Sequence, residues 1–106
     1  MGGIMSLDGG KYPFTEENIN RSPEQHGVYE LIQNSTTIYF GRAAGDGVTI
    51  RSRLQSHFRG DDGSCTQQAT HYRREINDRP KSREKELLEE YERSHGQLPR
   101  CNERKE

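Results

Sequence analysis

The stretch GVYELIQNSTTIYFGR, residues 27–42, decides the fold. From Gly27 to Ile32, the apolar residues Val28, Leu31 and Ile32 with Tyr29 among them suit a β-strand. Asn34-Ser35-Thr36 is a turn signal. Thr37 to Arg42, with Ile38, Tyr39 and Phe40 at its centre, reads as a second strand. Two strands joined by so short a turn pair antiparallel as a hairpin.

Beyond the hairpin, Gly45-Asp46-Gly47 breaks the chain and Thr49 caps a helix over about Ile50 to Phe58. Ile50, Leu54, His57 and Phe58 recur at helical spacing, and Arg53 and His57, four residues apart, point the same way. Gly60 to Gln68 reads as a polar loop. Ala69 to Ile76, with imperfect alternation, reads as a third strand ended by Asn77-Asp78-Arg79-Pro80. Ser82 then caps a last helix over about Arg83 to His95, with Leu87, Leu88 and Tyr91 as its apolar stripe and Gly96 as its stop. On the N-terminal side, Thr15-Glu16-Glu17-Asn18 suits a short helical turn in a polar segment, and residues 1–12 read as a Gly-rich mobile tail. The expectation is an α/β domain over residues 13–104. It has a small three-stranded sheet, antiparallel or mixed, flanked by helices in the order β-β-α-β-α.

A chain of 106 residues with 27% hydrophobic residues, 31% charged residues and no Trp suits one domain with a modest core. The net charge of −1 does not mark a nucleic-acid binder, but the charge is unevenly spread. Residues 1–41 hold 2 Lys/Arg against 5 Asp/Glu, residues 42–83 hold 9 against 5, and residues 84–106 hold 5 against 7. The middle third is thus basic, which fits either a phosphate-facing patch or an unevenly charged solvated surface. Met1 to Gly10 lacks a signal-peptide pattern, and no stretch nears the roughly 18 apolar residues of a membrane helix. The expectation is therefore a cytoplasmic protein off the membrane, with Cys65 and Cys101 as free thiols. Cys65, His71, His95 and Cys101 lack the spacing of a zinc site.

Six sequence features in order resemble the GIY-YIG nuclease superfamily. Gly27-Val28-Tyr29 and Tyr39-Phe40-Gly41, nine residues apart, resemble its two signature triplets, each with one apolar exchange. Arg42 follows the second triplet, where the nuclease domain of UvrC-type excision-repair proteins has a basic residue. Arg53-Leu54-Gln55-Ser56-His57 matches the family's Arg-x-x-x-His, Glu84 with Leu87 and Leu88 resembles Glu-x-x-Leu-Ile, and Pro99-Arg100-Cys101-Asn102 resembles Pro-x-x-Asn. The resemblance covers roughly residues 26–103. It implies a metal-dependent endonuclease that hydrolyses DNA phosphodiester bonds with one Mg²⁺ or Mn²⁺ ion.

The residue types suit that chemistry. Phosphodiester hydrolysis needs an activated water, positive charge at the crowded phosphorus, and help for the leaving oxygen. Glu84 is the expected metal ligand, at the start of its helix, with Glu89 as second choice; a lone carboxylate suits a hard, hydrated ion, and no second carboxylate stands beside the motifs. Tyr29 or Tyr39 would position or deprotonate the water, aided by a nearby cation such as Arg42. Arg53 would grip the phosphate, and His57 would donate to it or orient a tyrosine. Each also has a plain structural reading: strand aromatics for the tyrosines, a surface arginine, a half-buried histidine, a helix-start glutamate. Gly27, Gly41 and Asn102 are expected to support the site, with Asn102 tying the C-terminal segment to the hairpin. Arg51, Arg73, Arg74 and Lys81, with Arg79 and Arg83, are candidates for DNA backbone contacts. A bare domain of this size should need a partner protein, a second copy or an unusual DNA structure. A catalytically silent binding or interaction module of the same fold is the alternative.

Overall fold

In a computed structural model, which describes Leu7 and residues 9–102, four strands form one antiparallel sheet between two helical layers. The strands are β1 (Tyr12–Pro13), β2 (Gly27–Gln33), β3 (Thr36–Ala43) and β4 (His71–Ile76), in the order β1-β4-β2-β3. The helices are α1 (Glu16–Ile19), α2 (Ile50–Arg59), α3 (Ser64–Gln67) and α4 (Pro80–His95). The expected hairpin is β2–β3, with Tyr29 opposite Gly41 and Leu31 opposite Tyr39. Asn34 takes the left-handed conformation at its turn, with φ 58°.

Strand alternation sends Tyr29 and Leu31 to one face of the sheet and Val28 and Glu30 to the other. On the first face Tyr29, Leu31, Ile38, Ala43 and Tyr72 pack with Phe14, Ile19 of α1 and Ile50 and Leu54 of α2. On the second, Val28 and Phe40 pack with Leu7 and with Leu87, Leu88 and Tyr91 of α4. Both faces of β2 are covered, so six of its seven residues are buried. Fully burying an aliphatic side chain such as Leu54 contributes roughly 1.5–3 kcal/mol, which is how so few apolar residues hold three layers together.

Several expectations change. The sheet has four strands, not three: Tyr12 and Pro13 pair with Tyr72 and His71 at its outer edge. A two-residue strand has no period to read, and Pro, lacking an N–H, is tolerated at an edge. Part of the segment expected as a tail is packed on the domain: Leu7 is buried and the Gly9 carbonyl accepts from Arg73, while residues 1–6 and 8 lie outside the described residues, as do 103 and 104 at the other boundary. The polar loop 60–68 contains α3, and the third strand starts at His71 rather than Ala69. The last helix starts at Pro80, not Arg83, so Ser82 is not its cap; proline's fixed φ and missing N–H suit the first helical position. Glu84 consequently sits in the second turn, beyond the strongest pull of the helix dipole. Cys65 and Cys101 form a disulfide rather than staying free, joining α3 to the C-terminal segment. Thr49 does cap α2, in a reciprocal capping box with Ser52, and Gly60 and Gly96 end α2 and α4 in the left-handed conformation. Among the described residues no helix is long and apolar enough to cross a membrane.

Candidate active site at the free edge of β3

Strand β3 forms one border of the sheet, so side chains from both helical layers can reach around it. Tyr39 points toward the α2 face and Arg42 toward the α4 face. Arg53 arrives from α2 and Glu84 from α4. Tyr39, Arg42, Ala44, Val48, Arg53 and Glu84 line one concavity of about 380 Å³. Arg42 donates to Oε1 of Glu84 at 2.6 Å, and the carboxylate is only 14% exposed against 43% for the arginine.

Tyr29 lies elsewhere. It is fully buried behind Tyr39 and lines neither this concavity nor the adjoining one. Its hydroxyl is 2.8 Å from Nε2 of His57, which is itself buried and has Nδ1 2.8 Å from the Thr66 hydroxyl. Burial pushes the Tyr29 phenol well above the usual tyrosine range, more than the Arg53 guanidinium beside it can offset. Its facing cation is therefore Arg53, not the Arg42 anticipated from sequence. Burial also pulls His57 down to about 4, with Asp62 opposing and Arg53 adding to the shift, so the ring is neutral near pH 7. His57 is a fully buried, fully bonded histidine rather than a half-buried one. Burial works against the charge of Arg53, yet Tyr29, Asp62 and Tyr39 outweigh it and hold its pKa above the ordinary value.

The supporting residues have clear physical roles. A Cβ on Gly41 would stand 2.5 Å from Cζ and Oη of Tyr29 and 2.7 Å from Tyr39, so only glycine lets both phenols lie across the strand. A Cβ on Gly27 would meet the Glu75 carbonyl oxygen at 2.1 Å, within the β2–β4 pairing. Asn102 accepts from the Phe40 N–H at 2.9 Å and donates to the Phe40 carbonyl at 3.0 Å, taking the place of a neighbouring strand. Cys101 N–H adds a bond to the Ile38 carbonyl.

The basic residues do not form one patch. Arg51 is tied to the Ser22 carbonyl and Glu24 near the start of α2. Arg73 bonds buried Glu30, which also accepts from Thr37. Arg74 stacks over Tyr12 on the opposite face of the sheet, and Arg83 grips Glu75. Lys81 and Arg79 are exposed at the start of α4, and Glu89 is exposed later on the same helix.

The sequence did not reveal Asp62, Thr66 or Glu30. Asp62 carries a carboxylate 3.4 Å from Arg53 and 3.5 Å from His57, so a second carboxylate does stand beside the motif residues. With Tyr39, Arg53, His57, Asp61, Thr66 and the disulfide it lines an adjoining concavity of about 370 Å³. A pair of acids just after a helix-ending glycine was the available signal. Among the described residues no three His, Cys, Asp or Glu side chains cluster to hold a metal. A cation beside Glu84 would thus keep most of its water, which a hard ion such as Mg²⁺ tolerates and a caged zinc does not.

A family model described as a domain of unknown function (DUF7508) matches residues 5–94. No curated protein and no solved structure matches the chain.

Proposed function

We propose that this chain, which belongs to the family of the domain of unknown function DUF7508, is a divalent-metal-dependent endonuclease that hydrolyses DNA phosphodiester bonds on a GIY-YIG-type fold. The reading rests on the ordered motif resemblance. One observation carries it further: Tyr39, Arg42, Arg53 and Glu84, from four places in the chain, line a single concavity.

In this reading Arg53 binds the scissile phosphate with paired, charge-assisted hydrogen bonds. Tyr39, half-buried at the concavity, orients the attacking water. Tyr29, buried and kept protonated, braces Arg53 and the site wall instead of acting as the base. Glu84 holds one Mg²⁺ or Mn²⁺ ion, which when bound polarises a phosphoryl oxygen and acidifies water. Arg42 leaves its pairing with Glu84 to stabilise charge on the leaving oxygen. A partner protein or a second copy would supply the wider grip on DNA that a domain with so many internally paired arginines lacks. A cytoplasmic location stays within the proposal, although glutathione keeps most thiols reduced there and the Cys65–Cys101 bond would have to resist it.

The second reading is a catalytically silent nucleic-acid-binding or protein-interaction module. It is favoured by the pairing of Arg42 with Glu84 and of Arg53 with Asp62, which satisfies the candidate groups inside the chain. Purified protein incubated with supercoiled plasmid and Mg²⁺ or Mn²⁺ separates the two. Metal-dependent nicking that vanishes in Glu84→Ala and Arg53→Ala is expected. Retardation of DNA without nicking would establish the silent module and end the nuclease reading.

A further inference from the structure

The loop after α2 carries two acids between two glycines, Gly60-Asp61-Asp62-Gly63. Both glycines have positive φ, 84° and 104°, so the chain folds back over the helix end. Backbone bonds fix that course: Asp61 N–H to the Ser56 carbonyl and Gly63 N–H to the Gly60 carbonyl. The two acids then part. Asp61 is held by Arg59, through Nε at 3.1 Å and a terminal nitrogen at 2.8 Å. Asp62 turns inward, with one oxygen 3.4 Å from Arg53 and 3.5 Å from Nδ1 of His57. A single carboxylate thus stands near both the arginine and the histidine of the Arg-x-x-x-His motif.

We propose that Asp62 is a positioning residue for the candidate site: it steadies the Arg53 guanidinium and sets His57 in the tautomer that carries its proton on Nδ1. This deepens the endonuclease reading and rests on it for its functional consequence, though the tautomer itself can be measured without any activity. A carboxylate near one ring nitrogen favours the proton on that nitrogen. With Nδ1 protonated, the Thr66 hydroxyl oxygen accepts from it at 2.8 Å. The lone pair of Nε2 is then aimed at Tyr29, whose hydroxyl donates along the 2.8 Å bond. The phenol oxygen's own lone pairs are left to face Arg53, the cation beside it. Asp62 and the Tyr29 hydroxyl occupy only part of the fork of five guanidinium donors, which leaves donors for a phosphate. One loop carboxylate therefore fixes the chain Asp62–His57–Tyr29 and the residue that grips substrate. The opposite tautomer would set two donors, Nε2–H and the phenol, against one another unless Tyr29 turned its proton to another partner.

Two measurements on the intact protein test this, with Asp62→Asn and Asp62→Glu as variants and thermal melting as the check on folding. In ¹⁵N NMR of the imidazoles, wild-type His57 is expected to be neutral with Nδ1 protonated, Asp62→Asn to lose that preference, and Asp62→Glu to keep it. In single-turnover plasmid nicking, Asp62→Asn should slow the reaction by about tenfold or more while DNA affinity changes little, because a displaced grip costs rate rather than binding. Asp62→Glu should recover part of the rate. A proton on Nε2 in the wild type, or an unchanged tautomer in Asp62→Asn, overturns the proposal. So does an Asp62→Asn protein that nicks at the wild-type rate. A wild type that never nicks DNA would instead sink the nuclease reading and leave the NMR result to judge Asp62. If Asp62→Asn does not fold, the wild-type tautomer and the Asp62→Glu rate still decide.

Discussion

Tyr29 and His57 are bonded to one another and both buried between the sheet and α2, and their titrations are driven apart by the same cause. Burial disfavours the charged form of each, so the phenol's pKa rises and the imidazole's falls to about 4. The consequence for stability runs through the protons bound in each state. Between the ordinary histidine value of about 6.5 and the folded value of about 4, the unfolded chain takes up a proton that the folded chain refuses. The contribution is present in full above the upper limit and is lost as the pH falls through this window, at up to about 1.4 kcal/mol per pH unit. Glu75, held below the usual carboxylate range against its own burial by bonds from Arg83 and Asn77, adds an acid-side loss below its unfolded value. Urea unfolding of wild type and His57→Gln between pH 4 and 7 separates the two contributions. The wild-type curve should fall more steeply toward acid than the variant's, and parallel curves would mean that His57 titrates alike in the folded and unfolded chain. At the alkaline end the raised Tyr29 pKa works the other way. Its contribution is full below the ordinary value of about 10 and declines above it, where the unfolded chain ionises first.

At the scale of elements, the edge of β3 is closed by a side chain rather than by a strand. Phe40 turns its N–H and carbonyl outward, and the Asn102 amide bonds both. Asn102→Ala leaves two half-buried backbone groups without this partner, at a cost of about 1–3 kcal/mol. Hydrogen exchange at the Phe40 amide should speed up in that variant while the amide of Leu31, deep in β2, is slowed as before; equal acceleration of both would mean that Asn102 acts on global stability only. The distinction matters because Phe40 lies between Tyr39 and Gly41, so a frayed edge moves the ring that lines the concavity. Elements of this kind divide into those the sequence displays and those it hides. The β2–β3 hairpin and the face of α2 follow from period-2 and period-3.6 patterns, and Asn102 was placed as a tie to the hairpin by its motif context. Tyr12–Pro13, by contrast, is a strand only because β4 offers it an edge, and α3 is a four-residue turn stabilised by tertiary contacts. Pro80 has two opposite readings, strand terminator or first helical residue, and local sequence does not choose between them. Asp62 is hidden for a related reason: its place beside Arg53 and His57 comes from a backward turn at two glycines, which spacing alone does not reveal.

The whole molecule is held by a cross-link and by internal charge pairing, and both have consequences beyond any one site. The disulfide closes a loop across a sequence separation of 36, which on the chain-entropy account stabilises the fold by about 3–4 kcal/mol. For a domain whose total is about 5–15 kcal/mol that is a large share, so a reducing agent or Cys101→Ser should lower the urea midpoint markedly. An unchanged midpoint would mean that the reduced chain already holds the two segments together. Charge sets the limit on DNA contact. The net charge is −1, and Arg51, Arg73 and Arg83 are paired within the chain while Arg74 is stacked on Tyr12. If these stay engaged when DNA binds, and Arg42 and Arg53 exchange Glu84 and Asp62 for phosphate as the proposed function requires, the site offers Arg42, Arg53 and the exposed Arg79 and Lys81 among the described residues. Counterion release gives a slope of log K against log salt of about −0.9 per phosphate neutralised, so roughly three contacts predict a slope near −3. Binding measured from low to physiological salt should be weak and shallow in this sense. A slope of about −6 or steeper would mean that further basic groups join, whether exposed ones elsewhere on the surface or the arginines of β4 and α4 after abandoning Glu30, Tyr12 and Glu75. Because Glu30 is buried, releasing Arg73 would strand a carboxylate inside the protein, a cost that keeps the shallow slope the expected result.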